Sequence, residues 1–325
     1  MSGDIQKYLS YITTVRRYSP RTRAVYADVL REFSEYAGAE SDALLHEALC
    51  ASVLRSYEVH LMEERALQPR TVNLHLSVLS GFCRFLVKEG SLPANPVKTV
   101  TRPKMEKRLP VFYRAESMQD YFAATESDAS AESLGLITGH DPASISLYLR
   151  RLDRLVISLL FGTGIRRSEL LSLRIDSVDF GRNILRVTGK GDKMREIPLV
   201  PSLCQEISLY LQSVETMEGR ARAADEPLLV SEKGGSLYPV YIDRVIKRGL
   251  GQVGSITGRK SPHVLRHTLA TELLNEGADL NAIKELLGHA SLAATQVYTH
   301  NSVEQLKKVY NNAHPRAKNG GKHGD

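Results

Sequence analysis

The sequence predicts a mainly α fold with a small antiparallel β-sheet. An N-terminal helical bundle spans residues 1–105, and a C-terminal mixed α+β domain spans residues 106–325. Three observations carry this reading. The first hundred residues repeat apolar positions at helical spacing between clear start and stop signals. A proline-rich stretch without apolar period then interrupts the chain at 91–110. Beyond it, three short strand-like runs separated by turn sequences sit among longer helical segments.

In the first domain, helical character begins near residue 4. Ser19-Pro20 pairs an N-cap with proline at the first helical position, and that segment runs to Tyr36 and closes at Gly38. A further helix is expected from roughly Ala51 to Arg65. The next opens at Pro69 and carries Leu74, Val78, Phe82 and Phe85 on one face, with Val72, Leu76, Leu79, Cys83 and Leu86 on another, before stopping at Gly90. Apolar residues on two faces predict burial on both sides. Segment 91–110 holds four prolines, and Lys98, Arg102, Lys104, Lys107 and Arg108 outweigh its one acid, Glu106. It reads either as a solvated linker or as a basic strap along a phosphate backbone. The domain boundary is expected near residue 105.

The second domain opens with short helices and an acidic, small-residue stretch, Ala123–Ser144, expected as a surface loop or insertion. Residues 146–161 predict an apolar helix. Strands are expected at about 177–180, 184–189 and 194–199, joined by turns at 181–183 and 189–193. From Pro201 onward the chain reads as helical again.

Composition narrows the function classes. The chain of 325 residues is 42% hydrophobic and 25% charged, which excludes a largely disordered protein. Cys50, Cys83 and Cys204 are too few and too scattered for a disulfide framework or a zinc module. The N-terminus lacks the apolar run of a signal peptide, and no segment of about 18 apolar residues occurs, so a cytoplasmic protein without membrane insertion is expected. The net charge is +6 and unevenly spread. Lys+Arg against Asp+Glu is 16 to 12 over residues 1–110, 2 to 6 over 111–150 and 25 to 19 over 151–325. Two basic regions flanking an acidic one suit a nucleic-acid partner.

Six side chains carry the candidate chemistry. Ser261-Pro262 opens a helix with His263 and Arg266 three positions apart, hence on one side. Leu265, Leu269 and Leu273 form a separate apolar stripe, which predicts that His263 and Arg266 stay free of the core. HVLRH lacks the glutamate of a H-E-x-x-H zinc helix, so no metal site is expected. Gly277 stops that helix, Asp279 caps the next, and His289 follows its end at Gly288. Ser291 caps a last short helix bearing Tyr298. Arg166 follows a Gly-x-Gly turn in GTGIRRSEL, and Lys190 occupies a Gly-flanked hairpin turn. Taken singly, each has an ordinary structural explanation. Together they form a set: two guanidiniums suit one phosphate, and a tyrosine with pKa near 10 needs proton-transfer partners to act as a nucleophile.

The segments TGIRRSELLSL, GKGDKMREIPL, HVLRHTLATELLNEGADLNAIKELLGHASLAATQVYTH and AHPRA resemble the tyrosine recombinases, or phage integrases, most nearly the Xer type. SPRTRAVYADVL and PRTVNLHLSVLSGFCRFLVKEG resemble that family's SAM-like core-binding domain. The resemblance implies catalytic roles for Arg166, Lys190, His263, Arg266, His289 and Tyr298, with Tyr298 as nucleophile. It implies DNA contacts from the 91–110 segment, no cofactor and no ATP. It also implies a two-domain clamp on DNA, a 3′-phosphotyrosyl intermediate and a Holliday junction. The expected assembly is a cyclic homo- or hetero-tetramer on two DNA sites, exchanging the helix after Tyr298, with a DNA translocase as candidate activator. Xer-type chromosome dimer resolution is the expected role, with integration of a mobile element as the alternative. A topoisomerase of type IB shares the chemistry but fits the domain layout less well. A DNA-binding regulator without catalysis is disfavoured because all six residue types are intact.

Overall fold

A computed structural model describes residues 2–105, 111–189 and 192–288. Lys107, Arg108, Lys190, His289 and Tyr298, and the helix expected after Tyr298, lie outside the described residues. The chain divides into two compact units, residues 1–108 and 109–325.

The first unit is all helical. Helices α1 (Gly3–Thr14) and α2 (Pro20–Tyr36) begin behind Ser2 and Ser19, whose hydroxyls accept the backbone N–H groups of Ile5 and Thr22. A short α3 (Asp42–Ala48) adds an element that the sequence pattern does not announce. It has a serine cap, Ser41, and its His46 is tied to Asp4 of α1 at 2.9 Å. Helix α4 (Ala51–Val59) continues into a π-helical turn, His60–Glu64, so the helix expected to reach Arg65 loosens in its last turn. Helix α5 (Pro69–Lys88) is the hub: Val78 and Phe82 on one face and Leu76, Leu79, Cys83 and Leu86 on the other are fully buried. Leu74, near its start, is 41% exposed, so two-sided burial begins one turn later than the pattern implies. Tyr8 packs on Phe82 and Phe85 with ring centroids 5.4 Å apart, which fixes α1 against α5.

Residues 91–103 are not a free linker. Val97 and Val100 are buried in the bundle, Asn95 donates to the Ser80 carbonyl and hydroxyl, and Asn73 donates to the Pro103 carbonyl at 3.0 Å. Two valines and two asparagines therefore strap this segment onto α5, a pairing that composition alone does not reveal.

The second unit is built around α8 (Pro142–Thr163), longer than the predicted apolar helix and buried all round in its second half. Before it lie α6 (Ala115–Ala124) and the single turn α7 (Ala131–Leu134). The stretch expected as a surface loop is thus largely ordered into helical turns. Arg151 of α8, 1% exposed, donates to the Ser130 carbonyl and the Ser133 hydroxyl, both at 2.7 Å, and Ile137 of the same stretch is buried. After α8, a short α9 (Arg167–Leu171) leads to strands β1 (Val178–Asp179), β2 (Ile184–Thr188) and β3 (Met194–Pro198). They pair antiparallel in the order β1-β2-β3, with Val187 opposite Arg195. Helices α10 (Pro201–Glu218), α11 (Pro239–Gly251), α12 (Pro262–Asn275) and α13 (Leu280–Leu287) complete the unit. Helix α8 packs against α10, α11 and α12, while α13 lies on α12 and β3. Among the described residues, no helix is long and apolar enough to cross a membrane.

Candidate active site

The site forms where three chain reversals meet. The first is Gly164, which ends α8 in the left-handed conformation at φ +62°. A Cβ there would lie 2.6 Å from Leu287 Cδ2 and 3.0 Å from Leu269 Cδ2, so only glycine lets α12 and α13 approach this closely. The second is the first turn of α12, and the third is Gly288, which ends α13 at φ +64°.

Arg166 stands at the N-cap of α9, with its side chain 36% exposed. Its backbone N–H donates to Glu169 Oε2 at 2.8 Å, its Nη1 to Glu169 Oε1 at 2.7 Å, and its Nη2 to the Gly288 carbonyl at 2.8 Å. Arg266, from α12, is only 7% exposed. Its Nη1 donates to the Gly164 carbonyl at 2.6 Å and its Nη2 to the Leu287 carbonyl. The expectation that Arg266 stays clear of the core is therefore wrong. The apolar stripe of α12 is separate, as predicted, but the Gly164 and Leu287 carbonyls, from two distant segments, draw the guanidinium inward. His263, one turn earlier, is exposed, as expected.

The electrostatics mark an anion site. Desolvation, then the Arg166 and Arg195 guanidiniums, lower the Arg266 pKa to about 10, against a partial offset from Glu169. The two carbonyls and the nearby carboxylate hold the charge in place but do not neutralise the cluster. A partly buried concentration of guanidiniums is costly until an anion arrives, and each guanidinium has five N–H donors, more than its protein acceptors use, so donors are left for a phosphate's oxygens. The imidazole of His263 is also held below its ordinary value, first by desolvation and then by His267, Arg259, Arg266 and Arg167. It is thus kept neutral and able to accept a proton near neutral pH.

Two charged residues of this cluster escape a reading of the sequence. Glu169 is 4% exposed and Arg195 of β3 is 8% exposed, and they form a bidentate pair. Burial alone would raise the Glu169 carboxyl, but hydrogen bonds from Arg195 and the Arg166 backbone outweigh it and hold it below the usual range. The i, i+3 spacing from Arg166 points to Glu169; nothing local points to Arg195. In the first unit, Lys98, Arg102 and Lys104 are all exposed, with Arg102 donating to Ser77 Oγ at 2.9 Å. Among the described residues, no group of three or more His, Cys, Asp or Glu is placed to hold a metal ion.

A helical domain that gathers two arginines at the ends of α8 and α13 offers an arrangement that can receive an anion. Comparison with known proteins sharpens this. The phage integrase family model matches residues 142–305, and the N-terminal SAM-like domain model of phage integrases matches residues 5–90. Tyrosine recombinase XerC of Chlorobaculum parvum (strain DSM 263 / NCIMB 8327) is 33% identical over 321 residues, covering 96% of this chain and 94% of that protein. Tyrosine recombinase XerC of Bacillus subtilis (strain 168) is 34% identical over 316 residues, covering 96% of each. Among solved structures, the XerH site-specific recombinase bound to palindromic difH substrate aligns with a TM-score of 0.63 at 20% identity, covering 94% of this chain and 83% of that one. The Tn1549 transposon integrase in complex with a circular intermediate DNA aligns with a TM-score of 0.61 at 18% identity, covering 94% and 98%. These two likenesses concern the fold. The chain belongs to the phage integrase family, as a tyrosine recombinase of the Xer type.

Proposed function

We propose that this recombinase cleaves and rejoins two double-stranded DNA recombination sites through a 3′-phosphotyrosyl intermediate and a Holliday junction, in chromosome dimer resolution. One observation carries the reading. Arg166 and Arg266, from segments a hundred residues apart, are both anchored on the carbonyls around Gly164 and Gly288, with Glu169 aligning the first. A scissile phosphate between them would have its non-bridging oxygens neutralised without reorganisation of the protein.

Tyr298 Oη then attacks phosphorus while the bond to the 5′-oxygen breaks. The phenolic proton passes to His263, and Lys190 gives a proton to the departing 5′-oxygen. His289 hydrogen-bonds the phosphate or orients the tyrosine. The phosphotyrosyl ester conserves the bond energy, so a partner strand's 5′-hydroxyl reverses the step without ATP. Lys98, Arg102, Lys104, Lys107 and Arg108 hold the phosphate backbone outside the reacting site.

The XerC relatives support the Xer role over integration of a mobile element, which uses the same chemistry. The XerH structure was captured as a post-cleavage complex on its substrate. The proposed working unit is a tetramer on two sites, with itself or with a second recombinase, exchanging the helix after Tyr298. A DNA translocase is a candidate activator, and the place of action is the cytoplasm, on the nucleoid.

The test is incubation with a nicked suicide duplex carrying a site selected by this chain from randomised DNA, in EDTA. A covalent protein–DNA adduct with the wild type and none with Tyr298→Phe is the expected result. An adduct with Tyr298→Phe, or one that needs divalent metal, contradicts the proposal.

A further inference from the structure

We infer that Arg195 is a positioning residue of the recombinase site: it locks the Glu169 carboxylate, and with it the main chain at Gly288, in the arrangement that aims the Arg166 guanidinium. The inference rests on the phosphate-binding role proposed above for Arg166.

Arg195 is buried on β3, and all three of its guanidinium nitrogens are engaged within the protein. Nη1 and Nη2 donate to Glu169 Oε1 and Oε2 at 3.1 and 2.7 Å, and Nε donates to the Leu286 carbonyl at 3.0 Å. Three of its five N–H donors are thus spent within the protein, and the side chain is 8% exposed. Its effect is on its neighbours. Each Glu169 oxygen is shared between one donor from Arg195 and one from Arg166: Oε1 takes the two Nη1 groups, and Oε2 takes Arg195 Nη2 and the Arg166 backbone N–H. A carboxylate free to rotate would lose both hydrogen bonds to Arg166; the bidentate fork of Arg195 prevents that rotation.

The remaining hydrogen bond of Arg166 is to the Gly288 carbonyl, and Arg195 fixes this too. Gly288 lies flat on the Arg195 guanidinium, where a Cβ would sit 3.1 Å from Nη1 and 3.2 Å from Cζ. With Nε on the Leu286 carbonyl, the end of α13 is pinned to β3 from both sides. Gly189, just past β2, lies beside the same pair: a Cβ there would sit 3.5 Å from Arg195 Nη1 and 3.5 Å from Glu169 Oε1. One side chain thus joins the β-hairpin, the Arg166 turn and the end of α13. Lysine offers a single point charge without the fork or the Nε donor, so it cannot substitute.

The experiment uses the full chain and two nicked suicide duplexes carrying the selected site. One has an ordinary scissile phosphate; the other has a methylphosphonate there, which lacks the negative charge that Arg166 neutralises. Arg195→Ala and Arg195→Lys are expected to lose about 10²-fold in the rate of covalent adduct formation on the phosphate. On the methylphosphonate the expected loss is less than about tenfold, with DNA binding close to wild type. The buried Glu169 carboxylate left without its fork lowers the melting temperature of both variants, equally for either substrate. Arg166→Ala is the reference for that pattern. Equal losses on both substrates mean general damage and overturn the inference, as does a wild-type rate with Arg195→Lys. If Arg195→Ala does not fold, Arg195→Lys alone decides. Absence of any wild-type adduct overturns the proposed reaction itself, and is thereby distinguished from failure of Arg195 alone.

Discussion

Arg266 donates from α12 to the main-chain carbonyl of Gly164 at 2.6 Å, across the turn that ends α8. The cation proposed to bind the scissile phosphate is thereby bonded directly to the backbone whose conformation allows α13 to pack beside it. Its second donor, to Leu287, closes the ring of hydrogen bonds. Arg266→Lys keeps the charge but cannot serve two carbonyls and a phosphate at once. The expected outcome is a loss of about 10²–10³-fold in adduct formation and about 1–3 kcal/mol of stability from the carbonyl left unpaired. Suicide-duplex kinetics and urea unfolding of the same preparation check both.

Gly164→Ala and Gly219→Ala form a matched pair. Both glycines have positive φ, +62° and +66°, but among the described residues a Cβ at 219 meets nothing within 4 Å, whereas at 164 it meets Leu287 and Leu269. Gly219→Ala is expected to cost about 1–2 kcal/mol from backbone conformation alone. Gly164→Ala adds an overpacking penalty of about 1–3 kcal/mol and displaces α13, so its recombination loss should exceed that expected from stability. Equal unfolding midpoints for the two variants would count against the close approach.

Glu272 sets a pH dependence. It is 9% exposed on α12, and neither carboxylate oxygen has a hydrogen-bond partner among the described residues. Desolvation, then Glu116 and Glu276, push its pKa up to about 7 from 4.5. The folded state therefore holds this proton more tightly than the unfolded chain does. The stability it lends is fully present below pH about 4.5 and is lost as pH rises to about 7, a change on the order of 3 kcal/mol. Glu272→Gln should flatten this dependence, raising the melting temperature at pH 8 more than at pH 5. Unfolding curves at the two pH values, wild type against variant, provide the check.

The exposed cations of residues 91–105 predict a salt effect. Replacing Lys98, Arg102 and Lys104 together by alanine should lower the slope of log K against log salt by up to about 2.7, at about 0.9 for each phosphate no longer neutralised. Fluorescence anisotropy on a labelled duplex across a salt series measures it. An unchanged slope removes these three residues from the DNA interface.

Much of the fold is legible in the sequence, because it is written in local signals. Ser19-Pro20, Pro69, Gly38, Gly90 and Asp279 mark helix ends by their own chemistry, and the elements fall where they point. The three strands follow from alternation and turn residues. The rest depends on partners distant in sequence. The burial of Arg266 comes from Leu287 and Gly164, and Arg195 gains its meaning only beside Glu169 and Gly288. The ordering of residues 123–144 depends on a buried arginine, Arg151, from the next helix. A helical period identifies which face a residue occupies, but not which other segment covers that face.

The chemistry of the covalent link decides whether Tyr298 is the nucleophile and which strand end it holds. The adduct from the wild-type chain and a suicide duplex is digested with protease and nuclease, and the modified peptide is sequenced by mass spectrometry. The expected product is a nucleotide joined through its 3′-phosphate to Tyr298, with a free 5′-hydroxyl on the released strand. A link to any other residue, or through a 5′-phosphate, would refute the mechanism.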